Sequence, residues 1–269
     1  MEIIDFTKEE RIMCESHTSK GDQPKWKRGS FWYKADHMGY EALSEVIVSR
    51  LLAGSNMTDF VAYRPVMIRS GGKEIPGCAA RDFMHKGEML IPLERLHRAY
   101  EGRGLAQALA KLPSPKERIA YTVDFTERTT GLTGVGAYLT AVLELDALTL
   151  NEDRHTNNLA VLRNEDTGKF RLCPIFDNGL SLLSDLNDYP LSDDIYACMK
   201  RVQAKPFAQD HLEQMAAAEE LYGPQLSLPL SRDRLREELA QLSELYSPEI
   251  LLRAENVLLE QKRKIGGIF

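Results

Sequence analysis

The sequence predicts an α+β protein with a small, strand-rich N-terminal lobe and a larger, mainly helical C-terminal lobe. Short runs rich in aromatic and β-branched residues dominate the chain up to Met84. From Pro92 onward, apolar residues recur at the spacing of an amphipathic helix. The composition changes between these regions, at His85-Lys-Gly-Glu88. We therefore expect an N-lobe over residues 1–86 and a C-lobe over residues 87–269.

The overall composition excludes several classes of protein. The chain has 269 residues, of which 43% are hydrophobic, so it can bury a large core. Its net charge of −6 argues against nonspecific nucleic-acid binding, which depends on neutralising phosphates. The four cysteines are far apart and form no C-x-x-C pair, which is typical of a reducing cytoplasm. We expect no signal peptide, because the first residues form no uninterrupted apolar run, and the sequence has no apolar run of about 18 residues. We expect a cytoplasmic protein that binds neither membranes nor nucleic acids directly.

In the N-terminal region, local patterns predict several strands and one helix. Strands are expected at 11–15, 29–35, 60–63, 66–69 and 77–84. The spacing of Leu43, Val46, Ile47 and Leu51 predicts an amphipathic helix over residues 39–52, which Gly54 ends.

Two features of this region suit phosphate binding, although each has a simpler explanation. The loop 19–25 contains a glycine and two lysines, but alone it is more typical of an ordinary polar hairpin. Alternation along the next strand puts Lys34 on the face opposite Tyr33. There Lys34 could meet a phosphate, or it could simply be a solvated lysine. Glu41 and Glu45 share a helix face, so one could reach Lys34, unless both are solvated.

The C-terminal region is predicted to be helical except for one hairpin. Helices are expected at 92–101, 104–111, 115–128, 133–149, 192–203, 208–222, 232–246 and 248–264. Strands are expected at 159–163 and 170–174, joined by a turn at 164–168. The helix 133–149 carries an apolar stripe, which indicates a buried support that delivers the chain to Asn151.

The residues around this hairpin suit phosphoryl transfer, which depends on positioning and on neutralising charge. Asp153 could orient the nucleophile and accept its proton. Asn158 offers an amide oxygen and Asp177 a carboxylate, both suitable ligands for Mg²⁺. His155 could hold the loop backbone or the Asp153 carboxylate. A D-x-x-x-x-N pair alone is common by chance, but its combination with the preceding helix, the hairpin and Asp177 is more specific.

The two segments together resemble a known family. Asn151-Glu-Asp-Arg-His-Thr-Asn-Asn158, followed by Pro174-Ile-Phe-Asp177, is similar to the catalytic loop and the metal-binding segment of HipA-like kinases. Asp-Arg-His-x-x-Asn is also the catalytic-loop pattern of phosphatidylinositol kinases, whose fold the HipA-like kinases share. The resemblance implies a bilobal, protein-kinase-like fold that uses ATP and Mg²⁺. It implies Asp153 as the catalytic acid/base, with His155 in the same catalytic loop, and Asn158 and Asp177 as metal ligands.

The resemblance extends upstream with less specificity. Residues 21–25 are similar to the short phosphate-binding loop of the family, and residues 81–84 to the hinge that receives adenine. The nucleotide-binding residues that the resemblance implies are Gly21, Gln23, Lys25, Lys34, Glu45, Asp82 and Phe83. The chain begins almost at the phosphate loop, as in the shorter CtkA-like members. It lacks a clean match to the autophosphorylated serine that lies next to the loop glycine in HipA-type toxins.

The leading hypothesis is a serine/threonine protein kinase that acts on a protein substrate. A lipid or small-molecule kinase is the first alternative. The segment 178–189 has no Lys or Arg for a phosphoinositide headgroup, which favours a protein substrate. A nucleotide-binding regulator without catalysis and a purely structural protein are further alternatives. The intact set of Asp153, Asn158 and Asp177 argues against both.

Overall fold

The structure is a computed structural model that describes residues 2–9, 11–12 and 23–266. Its N-terminal part is a five-stranded sheet with one helix packed against it. The strands are β1 (Ile3–Asp5), β2 (Lys25–Arg28), β3 (Phe31–Ala35), β4 (Tyr63–Ser70) and β5 (Lys73–Arg81), and the helix is α1 (Glu41–Ala53). The spatial order is β1-β4-β5-β3-β2, with β1 parallel to β4 and the other neighbours antiparallel. The predicted strand-rich N-terminal lobe is confirmed.

Two tight hairpins fix the register of this sheet. Gly29 joins β2 to β3 with a φ of +59°, and Gly71 and Gly72 join β4 to β5 with φ values of +57° and +74°. Residues that carry a Cβ rarely adopt this conformation, so glycine is the natural choice in both turns. The resulting register pairs Lys34 with Lys25 on one side and with Cys78 on the other. Backbone pairing on both sides therefore holds Lys34 in place.

The two faces of the sheet have different environments. On one face, the ring of Phe6 stacks on Trp26 at a centroid distance of 5.0 Å and meets Tyr33 edge-on at 5.1 Å. Trp32 and Lys34 lie on the other face, where they line a cavity. The alternation along β3 that the sequence predicts is therefore confirmed, and it directs Lys34 toward the interior of a cleft.

Helix α1 is enclosed on nearly all sides. Its apolar residues Leu43, Val46, Ile47 and Leu51 are buried, as their spacing predicts, but the polar residues Glu41, Ser44, Glu45 and Ser49 are buried as well. The strands β4 and β5 cover one side of α1, and the segment after Asp177 covers another. Solvation on the surface is therefore the wrong interpretation of Glu41 and Glu45.

The larger part of the chain is helical, as predicted. Its helices are α2 (Leu93–Glu101), α3 (Leu105–Leu109), α4 (Pro115–Thr130), α5 (Val135–Thr149), α6 (Ile195–Arg201), α7 (His211–Tyr222), α8 (Arg232–Ala240) and α9 (Pro248–Ile265). Helix α5 buries 13 of its 15 residues and packs against α4, α7 and α9. It ends where Leu150 adopts a φ of +53°, and the chain turns there into the loop at Asn151. No helix in the described ranges is both long and apolar enough to cross a membrane.

A second, antiparallel sheet of three strands supports the loop after α5. Its strands are β6 (Glu88–Pro92), β7 (Ala160–Asn164) and β8 (Phe170–Leu172), in the order β6-β7-β8. The hairpin of β7 and β8 was predicted from the sequence, but β6 was not. The sequence interpretation placed a lobe boundary at 85–88 and began a helix at Pro92. β6 forms a strand because it pairs with β7. The two segments are far apart in the sequence, so no local pattern predicts this pairing.

Other differences concern the ends of elements. Arg11 and Ile12 are not in a strand, and the rest of the strand expected at 11–15 lies outside the described residues. Lys25, expected in a loop, begins β2, and β1 was not predicted. The helix expected over 232–246 ends at Ala240, because the backbone turns between 241 and 246.

Candidate active site

Lys34 lies at the centre of a partly buried charge cluster that joins the two parts of the chain. Its Nζ atom is 2.5 Å from Glu45 Oε1 on α1 and 2.8 Å from Asp177 Oδ1, which follows the second sheet. The other carboxylate oxygen of Glu45 accepts a hydrogen bond of 2.9 Å from the backbone N–H of Asn178. Of the two candidate glutamates, Glu45 is therefore the one that reaches Lys34.

The burial of this cluster strengthens its electrostatic interactions. Burial alone would lower the pKa of Lys34, but the carboxylates of Asp177 and Glu45 hold it well above its usual value. Burial alone would likewise raise the pKa of Asp177, but the ammonium groups of Lys34 and Lys25 hold it well below its usual value. Lys34 is therefore charged and Asp177 is ionised in the folded protein.

The loop Asn151–Asn158 is held closed by its own side chains. The N–H of Asp153 donates to Asn151 Oδ1 at 3.0 Å. Asn158 Nδ2 donates to the backbone oxygen of Asp153 at 2.8 Å and to its Oδ2 at 3.3 Å. His155 Nε2 lies 3.8 Å from Asp153 Oδ1, so His155 lies beside the Asp153 carboxylate, one of the two positions that the sequence suggests for it. The His155 Nδ1 atom is buried and has no hydrogen-bond partner among the described residues.

The buried environment of Asp153 shifts the pKa of its carboxyl group. Burial and the Asp177 carboxylate raise the pKa of Asp153, while His155, Lys205 and Arg154 act in the opposite direction. A carboxylate with a raised pKa is a stronger base than an exposed aspartate.

Arg154 is a site residue that the sequence interpretation missed. Its side chain is almost completely buried, and three of its contacts to Asp146 on α5 lie between 2.9 and 3.3 Å. It also donates to the backbone oxygen of Phe176 and to Asn178 Oδ1, both at 2.7 Å. Arg154 therefore ties the loop, α5 and the Asp177 segment together. Asp146, a carboxylate on a mostly apolar helix, was the sequence signal that a buried cation had to lie nearby.

Two donor atoms at this site fit a hard cation such as Mg²⁺. Asn158 uses its Nδ2 atom within the loop, which leaves its Oδ1 atom without a hydrogen bond among the described residues. Asp177 binds Lys34 through Oδ1, and its Oδ2 atom likewise has no hydrogen bond among the described residues. One neutral and one charged oxygen are a donor set that Mg²⁺ accepts together with phosphate oxygens. The carboxylates of Glu152, Asp185 and Asp188 form a separate group whose oxygen atoms also lie close together.

A cavity next to Lys34 has the size and lining expected for a nucleotide base. Its volume is about 360 Å³, and its lining is mostly apolar. The lining includes Lys25, Trp32, Lys34, Val61, Tyr63, Asp82, Phe83, Leu90, Phe176 and Asp177. A smaller cavity of about 50 Å³ lies between Gln23, Lys25, Glu41, Asp153 and Asp177. Lys25 and Asp177 line both cavities, so the two spaces are neighbours.

The residues expected to form the hinge lie at this cavity, and part of their backbone is already hydrogen-bonded. Asp82 N–H donates to Ser30 O at 2.7 Å, and Phe83 O accepts from Arg171 at 2.9 Å. The Asp82 carboxylate binds Lys27 at 2.6 Å, and the ring of Phe83 lies 5.8 Å from that of Phe176. This segment is therefore fixed in place from both sides.

The residues expected in the phosphate loop are only partly described. Gly21 lies outside the described residues. Gln23 lies at the smaller cavity, and its buried Nε2 atom has no hydrogen-bond partner among the described residues. Lys25 lies in β2 at the edge of both cavities.

Comparison with solved structures identifies the fold. The Helicobacter pylori proinflammatory kinase CtkA superposes with a TM-score of 0.65 and 15% identity, over 97% of this chain and 94% of the CtkA chain. The chain has the fold of the HipA-like and CtkA-like kinases. HipA, from the Shewanella oneidensis MR-1 toxin–antitoxin complex of HipA, HipB and operator DNA, matches with a TM-score of 0.52 and 13% identity. That match covers 97% of this chain and 66% of the other.

The sequence comparisons return nothing at this level of divergence. No protein-family model matches the chain, and no curated protein matches it. The HipA-like fold inferred from two short motifs is nonetheless confirmed by the superposition over almost the entire chain.

Proposed function

We propose that this chain is an ATP- and Mg²⁺-dependent phosphotransferase, and specifically a serine/threonine protein kinase of the HipA-like group. One observation carries the proposal. Lys34 from the first sheet contacts Asp177 beyond the second sheet, and Asp177 lines a small cavity together with Asp153. A cation for phosphates, a carboxylate for a metal and a carboxylate for a proton therefore meet at one place, as phosphoryl transfer requires.

The residues of the site have separate tasks in this proposal. The apolar cavity lined by Trp32 and Phe176 receives the adenine, with the hinge at Asp82 and Phe83 along its edge. Lys34 binds phosphate oxygens of the nucleotide, and Glu45 keeps Lys34 in position. Asn158 and Asp177 hold Mg²⁺, which when bound neutralises phosphate charge.

Asp153 handles the proton of the acceptor hydroxyl. As the hydroxyl oxygen forms a bond to the γ-phosphorus, the bond from that phosphorus to the bridging oxygen breaks, and ADP leaves with the electron pair. The hydroxyl proton goes to the Asp153 carboxylate, whose raised pKa suits this role. Asn158 donates to the Asp153 carboxylate, and Asn158 and Asn151 both bond the Asp153 backbone, so together they keep the carboxylate in position.

The charge of the surrounding segment supports a protein substrate over a phospholipid. Residues 178–194 contain no Lys or Arg, and Asp185 and Asp188 lie close to Glu152. A phosphoinositide headgroup needs basic residues at this position, whereas a neutral or basic peptide does not.

The proposal also includes lobes at 1–86 and 87–269 and a location in the cytoplasm. It carries over no DNA-binding role.

Incubation with labelled ATP and Mg²⁺ tests this function. We expect phosphate to appear on the chain itself or on a generic basic protein. After acid hydrolysis, the label should be found on serine or threonine. Asp153→Asn and Asp177→Ala should each lower the rate by at least about 100-fold. Asp166→Asn, an exposed aspartate in the turn between β7 and β8, should retain full activity.

Other outcomes would contradict specific parts of the proposal. Equal labelling in Asp177→Ala would exclude Asp177 as a metal ligand, and labelling confined to a lipid or a small molecule would exclude the protein-kinase assignment. Thermal stabilisation by ATP without any transfer would instead favour a nucleotide-binding regulator.

A further inference from the structure

A lysine from outside the catalytic loop lies against the carboxylate of Asp153. The ammonium nitrogen of Lys205 is 3.8 Å from Asp153 Oδ1, the same oxygen that His155 approaches. Lys205 lies between α6 and α7, far along the chain from the hairpin. Neither the motif nor the resemblance to HipA-like kinases indicates this residue.

The backbone around Lys205 is anchored in the core on both sides. The side chains of Ala204 and Phe207 are buried. The N–H of Ala204 donates to Gln209 O at 2.8 Å, and Arg118 donates to Phe207 O at 2.7 Å. Lys205 is therefore presented to the site by a fixed segment.

The same segment is joined directly to the catalytic loop. His211, the first residue of α7, is buried, and its Nε2 atom lies 2.9 Å from the backbone oxygen of Asn151. Burial lowers the pKa of His211, so the ring is neutral and its Nε2–H donates to that oxygen. The spacing between Lys205 and Asp153 is thus set by contacts at both ends of the segment.

Lys205 differs from Lys34 and Arg154, the two cations bound to carboxylates at the site. Lys34 is largely buried and Arg154 is almost completely buried. The Lys205 side chain remains 46% exposed, so its ammonium group can rotate toward a bound phosphate. An ion pair this exposed adds little to folding stability, and stability alone does not account for a lysine at this position.

We propose that Lys205 is a catalytic residue that contacts the phosphoryl group during its transfer. This inference rests on the phosphotransferase function proposed above. While the acceptor oxygen bonds to the γ-phosphorus and the bond to the bridging oxygen breaks, charge spreads over the three remaining phosphoryl oxygens. The ammonium group of Lys205 stabilises that charge and keeps its own proton, while Asp153 receives the proton of the hydroxyl.

Substitution at Lys205 tests the proposal, with Lys200 as a matched control. Lys200 is an exposed lysine on the neighbouring helix α6. We expect Lys205→Met to lower the rate of phosphate transfer from ATP by about 100-fold, whereas its affinity for ADP changes less than about threefold. Lys205→Arg should restore at least about a tenth of the wild-type rate, because it restores the charge. Lys200→Met should transfer at the wild-type rate.

A second measurement does not depend on turnover. The complex of ADP, aluminium fluoride and Mg²⁺ imitates the transferred phosphoryl group, and calorimetry gives its affinity. Lys205→Met should weaken this complex at least about tenfold more than it weakens ADP binding. Equal effects on both complexes would overturn the proposal, as would a transfer rate for Lys205→Met equal to that of Lys200→Met. If the wild-type chain transfers no phosphate, the proposed function fails, and the assignment of Lys205 fails with it.

Discussion

Two cations with different partners organise the site at the scale of single residues. Lys34 lies between carboxylates from α1 and from the Asp177 segment, so it joins the two sheets across the cleft. Arg154 is bound to Asp146 and to the backbone just before Asp177, so it fixes the loop Asn151–Asn158 against α5. The first faces a cavity that can hold a ligand, whereas the second is sealed in the core. We infer that Lys34 serves binding and that Arg154 serves positioning.

Replacing Arg154 should destabilise the whole chain. Arg154→Met leaves the buried Asp146 carboxylate without its partner, which should lower the free energy of unfolding by about 3–5 kcal/mol. Adding Asp146→Asn should recover part of that loss, because the uncompensated charge is removed. Chemical denaturation of the single and double variants measures both effects. Arg95→Met, at an exposed position, is the control, and an equally small loss at Arg154 would contradict this role.

Glu144 should make stability depend on pH. Burial raises its pKa from 4.5 to about 7, although the backbone N–H groups of Gln225 and Leu226 act in the opposite direction. The folded state thus binds the proton more tightly than the unfolded state. This contribution to stability is complete below pH 4.5 and is lost as the pH rises through about 7.

The variant Glu144→Gln isolates this effect, because glutamine does not titrate. The stability of the wild type relative to Glu144→Gln should fall by about 1–3 kcal/mol between pH 4.5 and pH 7. Urea titrations of both proteins at several pH values provide the measurement. A difference that is independent of pH would show that Glu144 titrates normally.

At the scale of elements, α1 is held by contacts that reach far along the chain. Asp36, just before the helix, accepts hydrogen bonds from the N–H of Ala42 at 2.7 Å and from the hydroxyl of Tyr246 at 2.8 Å. Tyr40 donates to Leu182 O at 2.7 Å. These contacts bring segments after α8 and after Asp177 against the start of α1, so the position of Glu45 is fixed by distant parts of the fold.

Removing the Tyr246 hydroxyl should loosen this end of α1. Tyr246→Phe leaves one oxygen of the buried Asp36 without its donor, and we expect a loss of about 1–3 kcal/mol in the free energy of unfolding. Tyr196→Phe removes the same hydroxyl from an exposed position and should change stability by less than about 0.5 kcal/mol. Thermal unfolding compares the two variants, and equal melting temperatures would show that Asp36 does not need Tyr246.

The sequence predicts best those elements whose pattern is local. The helical region and the β7–β8 hairpin were predicted because their spacing and turn residues lie within the elements themselves. The strands β1 and β6 were not predicted. Each pairs with a segment far away in the sequence, β1 with β4 and β6 with β7.

The sequence predicts those residues of the candidate site that belong to a compact motif. Asp153, Asn158 and Asp177 were named from the motif, and the structure brings them together with Lys34 and Glu45, although their roles stay predictions. Arg154 was part of the motif, but its role depends on a contact to α5. Lys205 was missed because it reaches Asp153 only through the packing of the segment between α6 and α7.

At the scale of the whole molecule, the apolar cavity next to Lys34 lies between the two sheets. Trp32 and Lys34 come from the first sheet, whereas Leu90 belongs to the second sheet and Phe176 follows it. A ligand in this cavity contacts both parts at once. Its binding energy therefore stabilises the folded chain as a unit.

ATP with Mg²⁺ should raise the melting temperature, and removal of the metal should reduce the effect. At 100 times the dissociation constant, binding adds about 2.7 kcal/mol to stability. We expect EDTA to diminish the shift in the wild type but to have little effect in Asp177→Asn, which has already lost a ligand. Asp188→Asn should keep the dependence on Mg²⁺. If Asp188→Asn loses it instead, the metal is held by the group of Glu152, Asp185 and Asp188.

The enclosure of α1 determines which inhibitors can act on this chain. Some inhibitors bind in a space that opens only when this helix moves outward. In this chain, Tyr40 and Ser44 hydrogen-bond α1 to the backbone at 181–182. Such compounds would have to break buried contacts before they could enter. The accessible target is the cavity beside Trp32, so a chemical screen should return flat aromatic molecules that compete with the nucleotide.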